Sequence, residues 1–338
     1  MRPFHYERAE DASHAVHAAY GSAGSEAQDG GSQYLAGGTT LLDLMKLDVM
    51  RPERVIDIND IAAGHDAIEL RGNGLWLGAL ARMADVGDHP EVRRNYPMVA
   101  QSLQLAASAQ LRTMATLGGN VLQRTRCSYF RDTSWAACNK RSPGSGCAAL
   151  TGMNRLHAIL GTSPQCIAAY PGDFAQALIA LDASVEVLTT VGSRTMPFEE
   201  LHRLPGDTPH METTLGSGEL ITGFFVPAGP WHRHSLYLKI RDRESYEFAL
   251  TSAAVALDLT GEVVNEARIG LGGVATKPWR AREAERSLKG ARLDEASAGA
   301  AAEAAFADAR TSARNKFKLE LGRRTLARAI LQAGAATA

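Results

Sequence analysis

Only four cysteines occur in 338 residues, and none lies outside positions 127–166. So few exclude a small disulfide scaffold, and their confinement to one segment asks for a local explanation. No apolar run approaches the roughly 18 residues of a spanning helix, so a transmembrane segment is excluded. The opening Met1-Arg2-Pro3-Phe4-His5-Tyr6-Glu7-Arg8 has no apolar h-region, so no signal peptide of its own is expected. Charge excess is missing too: 36 Lys and Arg against 37 Asp and Glu leave a formal net charge of −1. Nonspecific nucleic-acid binding needs a clear basic excess, so that class is set aside. No serine sits in a G-x-S-x-G elbow, and no histidine pair has H-x3-H spacing on a helix. His14 and His17, three apart, read as partly exposed helix residues. What is present is 45% apolar content, enough for a real core and against disorder. At about 150 residues per domain the length predicts two domains, or three.

Local patterns predict mixed helix and sheet. A short helix over 11–20 should turn Val16, Ala19 and Tyr20 inward and stop at Gly21, before a Gly/Ser/Ala/Gln-rich loop over 21–32. Tyr34-Leu35-Ala36, a Gly37-Gly38 turn, a helix bearing Leu41, Leu42, Leu44 and Met45, and strand 54–58 form a compact βαβ unit. A hairpin follows over 68–80, then a helix through Val99, Leu103, Ala106 and Ala107. A second Gly-Gly turn comes at 118–119. Residues 124–166 show no period and few apolar anchors, so without a cross-link they should be poorly ordered. A helix from Pro171-Gly172-Asp173, a strand near 184–190, a strand ending at Phe224-Phe225-Val226 and a linker at 227–230 complete the first part. Three antiparallel strands (236–241, 251–259, 263–272) and helices near 279–289, 294–309 and 310–332 follow. The last helix carries a basic face, read as solvated or as contacting an acidic partner.

Three features could carry chemistry. The first is Ala36-Gly37-Gly38-Thr39-Thr40-Leu41, where glycines between strand and helix let a ligand approach the backbone. A helix start there suits phosphate, with Thr40 as cap and Asp43 in a box-like position. The second is Thr116-Leu117-Gly118-Gly119-Asn120, with Thr116 and Asn120 offering short side-chain hydrogen bonds. Two such turns suggest one extended ligand held at two points, a dinucleotide in preference to a mononucleotide; two unrelated turns are the plain alternative. The third is the set Cys127, Cys138, Cys147 and Cys166. Its spacing lacks the C-x2-C knuckles of zinc ribbons, and four thiolates also hold an iron–sulfur cubane. Nearby Arg124, Arg126, Arg131, Lys140 and Arg141 would offset the negative charge of such a site. Structural thiols or a disulfide stay open as well.

The two turns, with Gly272-Gly273-Val274-Ala275-Thr276-Lys277-Pro278-Trp279-Arg280, resemble the FAD-binding medium subunits of the xanthine dehydrogenase/molybdenum hydroxylase family. Leu122-Gln123-Arg124-Thr125-Arg126-Cys127, Cys138-Asn139-Lys140-Arg141 and Pro143-Gly144-Ser145-Gly146-Cys147-Ala148-Ala149-Leu150 resemble more closely the FAD-binding subunit of the bacterial periplasmic aldehyde oxidoreductases. The last cysteine, in Cys166-Ile167-Ala168 ahead of Pro171-Gly172-Asp173, follows the same pattern. Thr40 departs from it, because the family usually has Asn there.

The resemblance implies an α+β fold: a two-part FAD-binding domain of the vanillyl-alcohol-oxidase type over 1–228, with subdomains of about 1–60 and 61–228 and the cysteine loop at 124–166. A C-terminal domain with a three-stranded antiparallel sheet and helices would occupy 229–338. It implies FAD held by Gln33, Tyr34, Leu35, Ala36, Gly37, Gly38, Thr39, Thr40 and Leu41 around the pyrophosphate, and by Thr116, Gly119, Asn120 and Thr125 at the second turn. Asp173 would hydrogen-bond the flavin nucleotide, Ile221 would pack on the cofactor, and Lys239 would lie near the isoalloxazine ring. The cysteines Cys127, Cys138, Cys147 and Cys166 would bind a [4Fe–4S] cluster. Partners would be a large subunit with molybdenum cofactor and a small subunit with two [2Fe–2S] clusters. No catalytic residue of its own is expected, since the flavin carries the redox chemistry. The compartment would be the periplasm, as a passenger on a twin-arginine-exported partner, or the cytoplasm. Competing readings are the flavin subunit of a xanthine, CO or hydroxybenzoyl-CoA enzyme, a stand-alone flavoenzyme, and a zinc scaffold.

Overall fold

The computed structural model describes residues 1–20 and 31–335. Gly21 and most of the loop expected over 21–32 lie outside the described residues. Three sheets organise the chain. The first joins β1 (His5–Arg8), β2 (Ser32–Leu35) and β3 (Arg54–Asp57) in the order β1-β3-β2, all parallel. The helix Leu41–Lys46 crosses between β2 and β3, which is the expected βαβ unit. Helix Ala12–Tyr20 buries Ala15, Val16 and Ala19. Tyr20 does not turn inward as expected: it is the last residue of that helix and stands exposed.

The second sheet is antiparallel: β4 (Ile68–Arg71), β5 (Gly74–Gly78), β6 (Ser184–Thr189), β7 (Gly192–Pro197) and β8 (Leu220–Pro227), ordered β4-β5-β8-β6-β7. Its inner residues Leu75, Leu77, Val185, Val187, Phe224 and Val226 pack in one core with Met98, Val99 and Leu103 of helix Pro97–Gln104. Helix Phe174–Ala180 is buried along its whole length: it packs on the strands of the third sheet, and its Phe174 ring meets Phe224 of β8 at 5.9 Å. An all-apolar helix with Gln176 as its one polar residue has no solvent face, which suits this wedged position.

The third sheet has four strands where three were expected: β9 (Ser235–Ile240), β10 (Thr251–Thr260), β11 (Val263–Gly272) and β12 (Trp279–Arg280), ordered β12-β11-β10-β9. The fourth pairs only Trp279 and Arg280 with Leu271 and Gly270, too short to show a period of two. Helices Arg282–Leu288, Glu295–Ala305 and Phe317–Ala335 cover this sheet. The basic face is smaller than expected. Arg310, Arg314 and Lys316 precede the helix, and Lys318 is fully buried, donating to the carbonyls of Leu156 (3.1 Å) and Gly273 (2.7 Å).

The cysteine segment is better anchored than its composition suggested. Tyr129, Phe130, Ala149, Ile159, Leu160 and Ile167 are buried, and Phe130 packs with Leu41, Leu44 and Met45 of the βαβ helix. The segment uses short turns, Ser128–Arg131 and Ala148–Leu150, and an antiparallel bridge between Cys138 and Cys147. Such irregular bonding leaves no periodic trace in a sequence.

Candidate cofactor cleft and cysteine centre

The two glycine turns meet. A Cβ on Gly37 would lie 2.0 Å from the Met114 carbonyl oxygen and 3.1 Å from Ala115 Cα, so the missing side chain lets one turn seat on the other's backbone. Gly38 has φ of +70°, the left-handed conformation that glycine adopts without strain. Asn59, just past β3, fixes the first turn by donating to the Ala36 carbonyl (3.0 Å). Arg82 donates to Asn59 (3.2 Å) and to the Met114 carbonyl (2.5 Å), so one guanidinium spans both turns.

The second turn is not a free turn. Residues Leu117–Val121 form a short helix whose N-cap, Thr116, accepts from the Gly119 N–H at 3.3 Å. Backbone bonds from Gly118 to Ala79 (2.8 Å) and from Leu117 to Ala81 (3.0 Å) fix it beside β5. Thr40, by contrast, makes no side-chain cap bond. Asp43 is diverted as well: it takes Arg126 at 3.3 Å and Arg131 at 2.8 Å.

A cleft of about 660 Å³ opens over both turns. Gln33, Tyr34, Ala36, Gly37, Gly38, Thr39, Thr40 and Leu41 line it, together with Thr116, Gly119 and Ile221. Its size falls within the usual range for small-molecule and cofactor sites. A Cβ on Gly119 would meet only Thr116 Oγ1 at 3.1 Å and otherwise open space. Backbone is therefore presented to the cleft there with nothing in front of it.

Other expected site residues stand elsewhere. Leu35 turns away into the packing around the βαβ helix. Asn120 donates to Met83 Sδ (3.3 Å), while its buried Oδ1 has no protein partner. Thr125 donates to the Ala169 carbonyl (2.9 Å) and accepts from the Cys127 N–H (3.2 Å), which ties it to the cysteine segment. Asp173 and Lys239 do not line the cleft. They form an ion pair of 2.7 Å with side chains 4% and 1% exposed, so Lys239 is no surface lysine. Tyr237 donates to the same carboxylate at 2.6 Å, and Lys239 also donates to the Leu105 carbonyl at 3.0 Å. The cluster pins β9 to the ends of helices Pro97–Gln104 and Phe174–Ala180.

The opposite wall of the cleft was not read from sequence. It includes Arg124, Met211, Glu212, Thr213, Gly218 and Leu220. Tyr34 donates to the Gly218 carbonyl at 2.6 Å, which joins the two walls. Residues 209–219 carry no Gly-Gly dipeptide and no period; Gly216-Ser217-Gly218 and the acidic Glu212 and Glu219 were the usable signals.

All four cysteines line a single small cavity, with Tyr129, Phe130 and Ala149 around them. They are free thiols, with Cys138 and Cys166 buried and the other two partly so. Among the described residues, no three His, Cys, Asp or Glu side chains converge closely enough to hold one metal ion. The His157 ring lies 3.1 Å from Cys127 Sγ through Nε2. Burial pushes the Cys127 thiol up to about 12 and the Cys166 thiol up to about 11. Thiolates in so dry a setting need cations beside them, and metal ions supply these.

Comparison with known proteins follows the same division. Residues 2–229 match the FAD-binding domain in molybdopterin dehydrogenase, and residues 236–333 match the CO dehydrogenase flavoprotein C-terminal domain. The aldehyde oxidoreductase FAD-binding subunit PaoB of Escherichia coli (strain K12) is 44% identical over 337 residues, covering 99% of each chain. The chain belongs to the FAD-binding medium subunits of the molybdenum hydroxylase family. The glyceraldehyde dehydrogenase medium chain of Sulfolobus acidocaldarius is 26% identical over 77% of this chain and 74% of its own length. The solved carbon monoxide dehydrogenase from Hydrogenophaga pseudoflava superposes with a TM-score of 0.75 at 25% identity, covering 99% of each chain. This medium subunit is thus an FAD-binding oxidoreductase component. Among the described residues, no helix is long and apolar enough to cross a membrane.

Proposed function

We propose that this chain is the FAD- and [4Fe–4S]-carrying subunit of a molybdenum-dependent aldehyde oxidoreductase. It accepts electrons from a [2Fe–2S] subunit and passes them to an external acceptor, while a molybdenum-cofactor subunit oxidises the aldehyde. The observation that carries this reading is the joining of four thiols around one cavity in a chain 44% identical, end to end, to an aldehyde oxidoreductase FAD-binding subunit. Four thiols on one cavity match the four-thiolate ligation of such a cluster.

The flavin would be held by segment 33–41 on one side and by Thr116 and Gly119 on the other, with Ile221 packed against it. When bound, FAD supplies the step between two-electron and one-electron chemistry. The chain's own residues bind it, present backbone at Gly119 and shut water from its base. Asp173 and Lys239 act from behind, by fixing β9 and its neighbouring helices.

The test is analysis of the purified chain and of Cys147→Ser. Near-stoichiometric FAD with iron and acid-labile sulfide, both metal and sulfide falling in the variant, is the expected result. Zinc in place of iron, or full iron in Cys147→Ser, overturns the cluster assignment.

A further inference from the structure

The cysteine segment grips both walls of the flavin cleft through charge. On one wall, Asp43 of the βαβ helix takes Arg126 and Arg131, which flank Cys127. On the other, Glu212 takes Arg124 Nε through one carboxylate oxygen and Lys140 Nζ through the other, at 2.7 Å. Lys140 stands two residues after Cys138 and lines the cysteine cavity. It also donates to the Pro209 carbonyl at 2.9 Å. Arg124 and Glu212 line the cleft, whereas Lys140 does not.

A small chamber of about 40 Å³ shares Lys140 and Cys166 with the cysteine cavity and Met211 and Glu212 with the cleft. Lys140 is 9% exposed and Arg124 is 8% exposed, so both cations are screened from solvent, while the Glu212 side chain, 21% exposed, keeps an edge open to the cleft. Charges held that deeply need every partner present, because removing one leaves an uncompensated charge. The Arg124 guanidinium also lies 4.7 Å over the buried Phe130 ring, whose segment includes Cys127.

We propose that Glu212 is a positioning residue of the flavin site: it sets Arg124 at the cleft wall through an ion triad whose third member, Lys140, belongs to the cysteine segment. The inference rests on the reading of the cleft as the flavin site and of the cysteines as a metal centre. It assigns the direction of the link: disturbance at the cysteine segment reaches the flavin through Lys140, Glu212 and Arg124. The sequence neighbourhood of Cys127 and the second glycine turn is a separate connection.

Lys140→Met is the discriminating variant, because its side chain does not itself line the cleft. Full-length protein carrying Lys140→Met, Glu212→Gln, Glu212→Asp or both Lys140→Met and Glu212→Gln is titrated with FAD by flavin fluorescence. Iron and sulfide are measured in parallel. Expected are a weakening of FAD binding of tenfold or more in Lys140→Met and in Glu212→Gln, partial recovery in Glu212→Asp, and a double variant no weaker than the worse single one. Wild-type affinity in Lys140→Met, or additive losses in the double variant, overturns the proposal. Should Glu212→Gln fail to fold, Lys140→Met and Glu212→Asp decide the matter. Failure of the underlying reading is distinct: wild-type protein would then bind no FAD or contain no iron.

Discussion

Two glycines in the cleft look alike in sequence yet should respond oppositely to alanine. A Cβ on Gly37 falls 2.0 Å from Met114 O and 2.7 Å from Met114 C, both backbone atoms that a rotamer change does not move. Relief requires the two turns to separate, an overpacking cost of about 1–3 kcal/mol. A Cβ on Gly119 meets only Thr116 Oγ1 at 3.1 Å, and Gly119 lies inside a short helix with no positive φ. Helix preference for alanine over glycine is worth roughly 1 kcal/mol, so Gly119→Ala should leave stability unchanged or slightly higher. The new methyl would stand in the cleft. Overpacking of that methyl against bound cofactor, about 1–3 kcal/mol, corresponds to a roughly tenfold or greater weakening of the FAD complex. Urea unfolding of the flavin-free protein and fluorescence titration with FAD separate the two effects. Gly37→Ala should unfold at lower urea; Gly119→Ala should unfold normally and bind FAD poorly. Normal FAD affinity in a folded Gly119→Ala protein would refute the placement of the cofactor over this turn.

Other outcomes follow from the buried charges. Lys239→Met breaks a pair whose side chains are 1% and 4% exposed and should destabilise the protein by about 3–5 kcal/mol, seen as a lower melting temperature with FAD lost alongside the fold. A folded, fully stable Lys239→Met protein with altered flavin behaviour would instead place this lysine in direct service of the ring. Burial, with Arg155 nearby, holds Lys318 down to about 7, well below its unfolded value near 10.4. Between those values the unfolded chain binds the extra proton, so the Lys318 contribution makes stability rise with pH through that window, by at most roughly 1.4 kcal/mol per pH unit. Lys318→Met should flatten that slope in chemical unfolding at pH 7.5 and 9.5; an unchanged slope would show an ammonium fully satisfied by its two carbonyls. Replacing Asp43 by Asn should loosen the cysteine segment from the βαβ helix, read as faster proteolysis within 124–166, whereas the unaltered protein should resist cleavage there.

The elements legible in the sequence are those whose pattern has a period or a steric demand. The βαβ unit could be read because Tyr34-Leu35-Ala36, the glycine turn and the Leu41–Met45 stripe each follow a local rule, and the C-terminal strands because β10 and β11 are ten-residue, largely apolar runs separated by the short Gly261-Glu262 turn. Gly37 was singled out for ligand approach, while its nearest neighbour is the other turn's backbone. Thr40 and Asp43 matched a capping box in spacing, yet Asp43 faces two arginines more than 80 residues away, and such a partner outweighs a local bond only in the folded chain. Long-range partners explain the remaining misses. Lys239 sits on a strand whose sequence offers no sign of Asp173 across the domain boundary, and Lys318 opens a helix whose charge pattern looked solvated.

The cysteine segment shows the same limit from the other side. Composition gave it basic residues and thiols and suggested a stretch of chain poorly ordered without a cross-link. In the fold the basic residues are spent on carboxylates and carbonyls: Arg126 and Arg131 on Asp43, Lys140 on Glu212, and Arg141 on the carbonyls of Tyr129 (2.7 Å) and Phe130 (2.8 Å). Of these basic residues, Lys140 lines the thiol cavity and also reaches the cleft wall. Positive charge in this segment is therefore spent on holding the segment to the cleft walls, and Lys140 is where the cleft and the cysteine cavity meet. A metal centre built here stiffens a segment already bonded at both ends, so its removal should be felt first as slack in Asp43 and Glu212 and only then as loss of the surrounding fold.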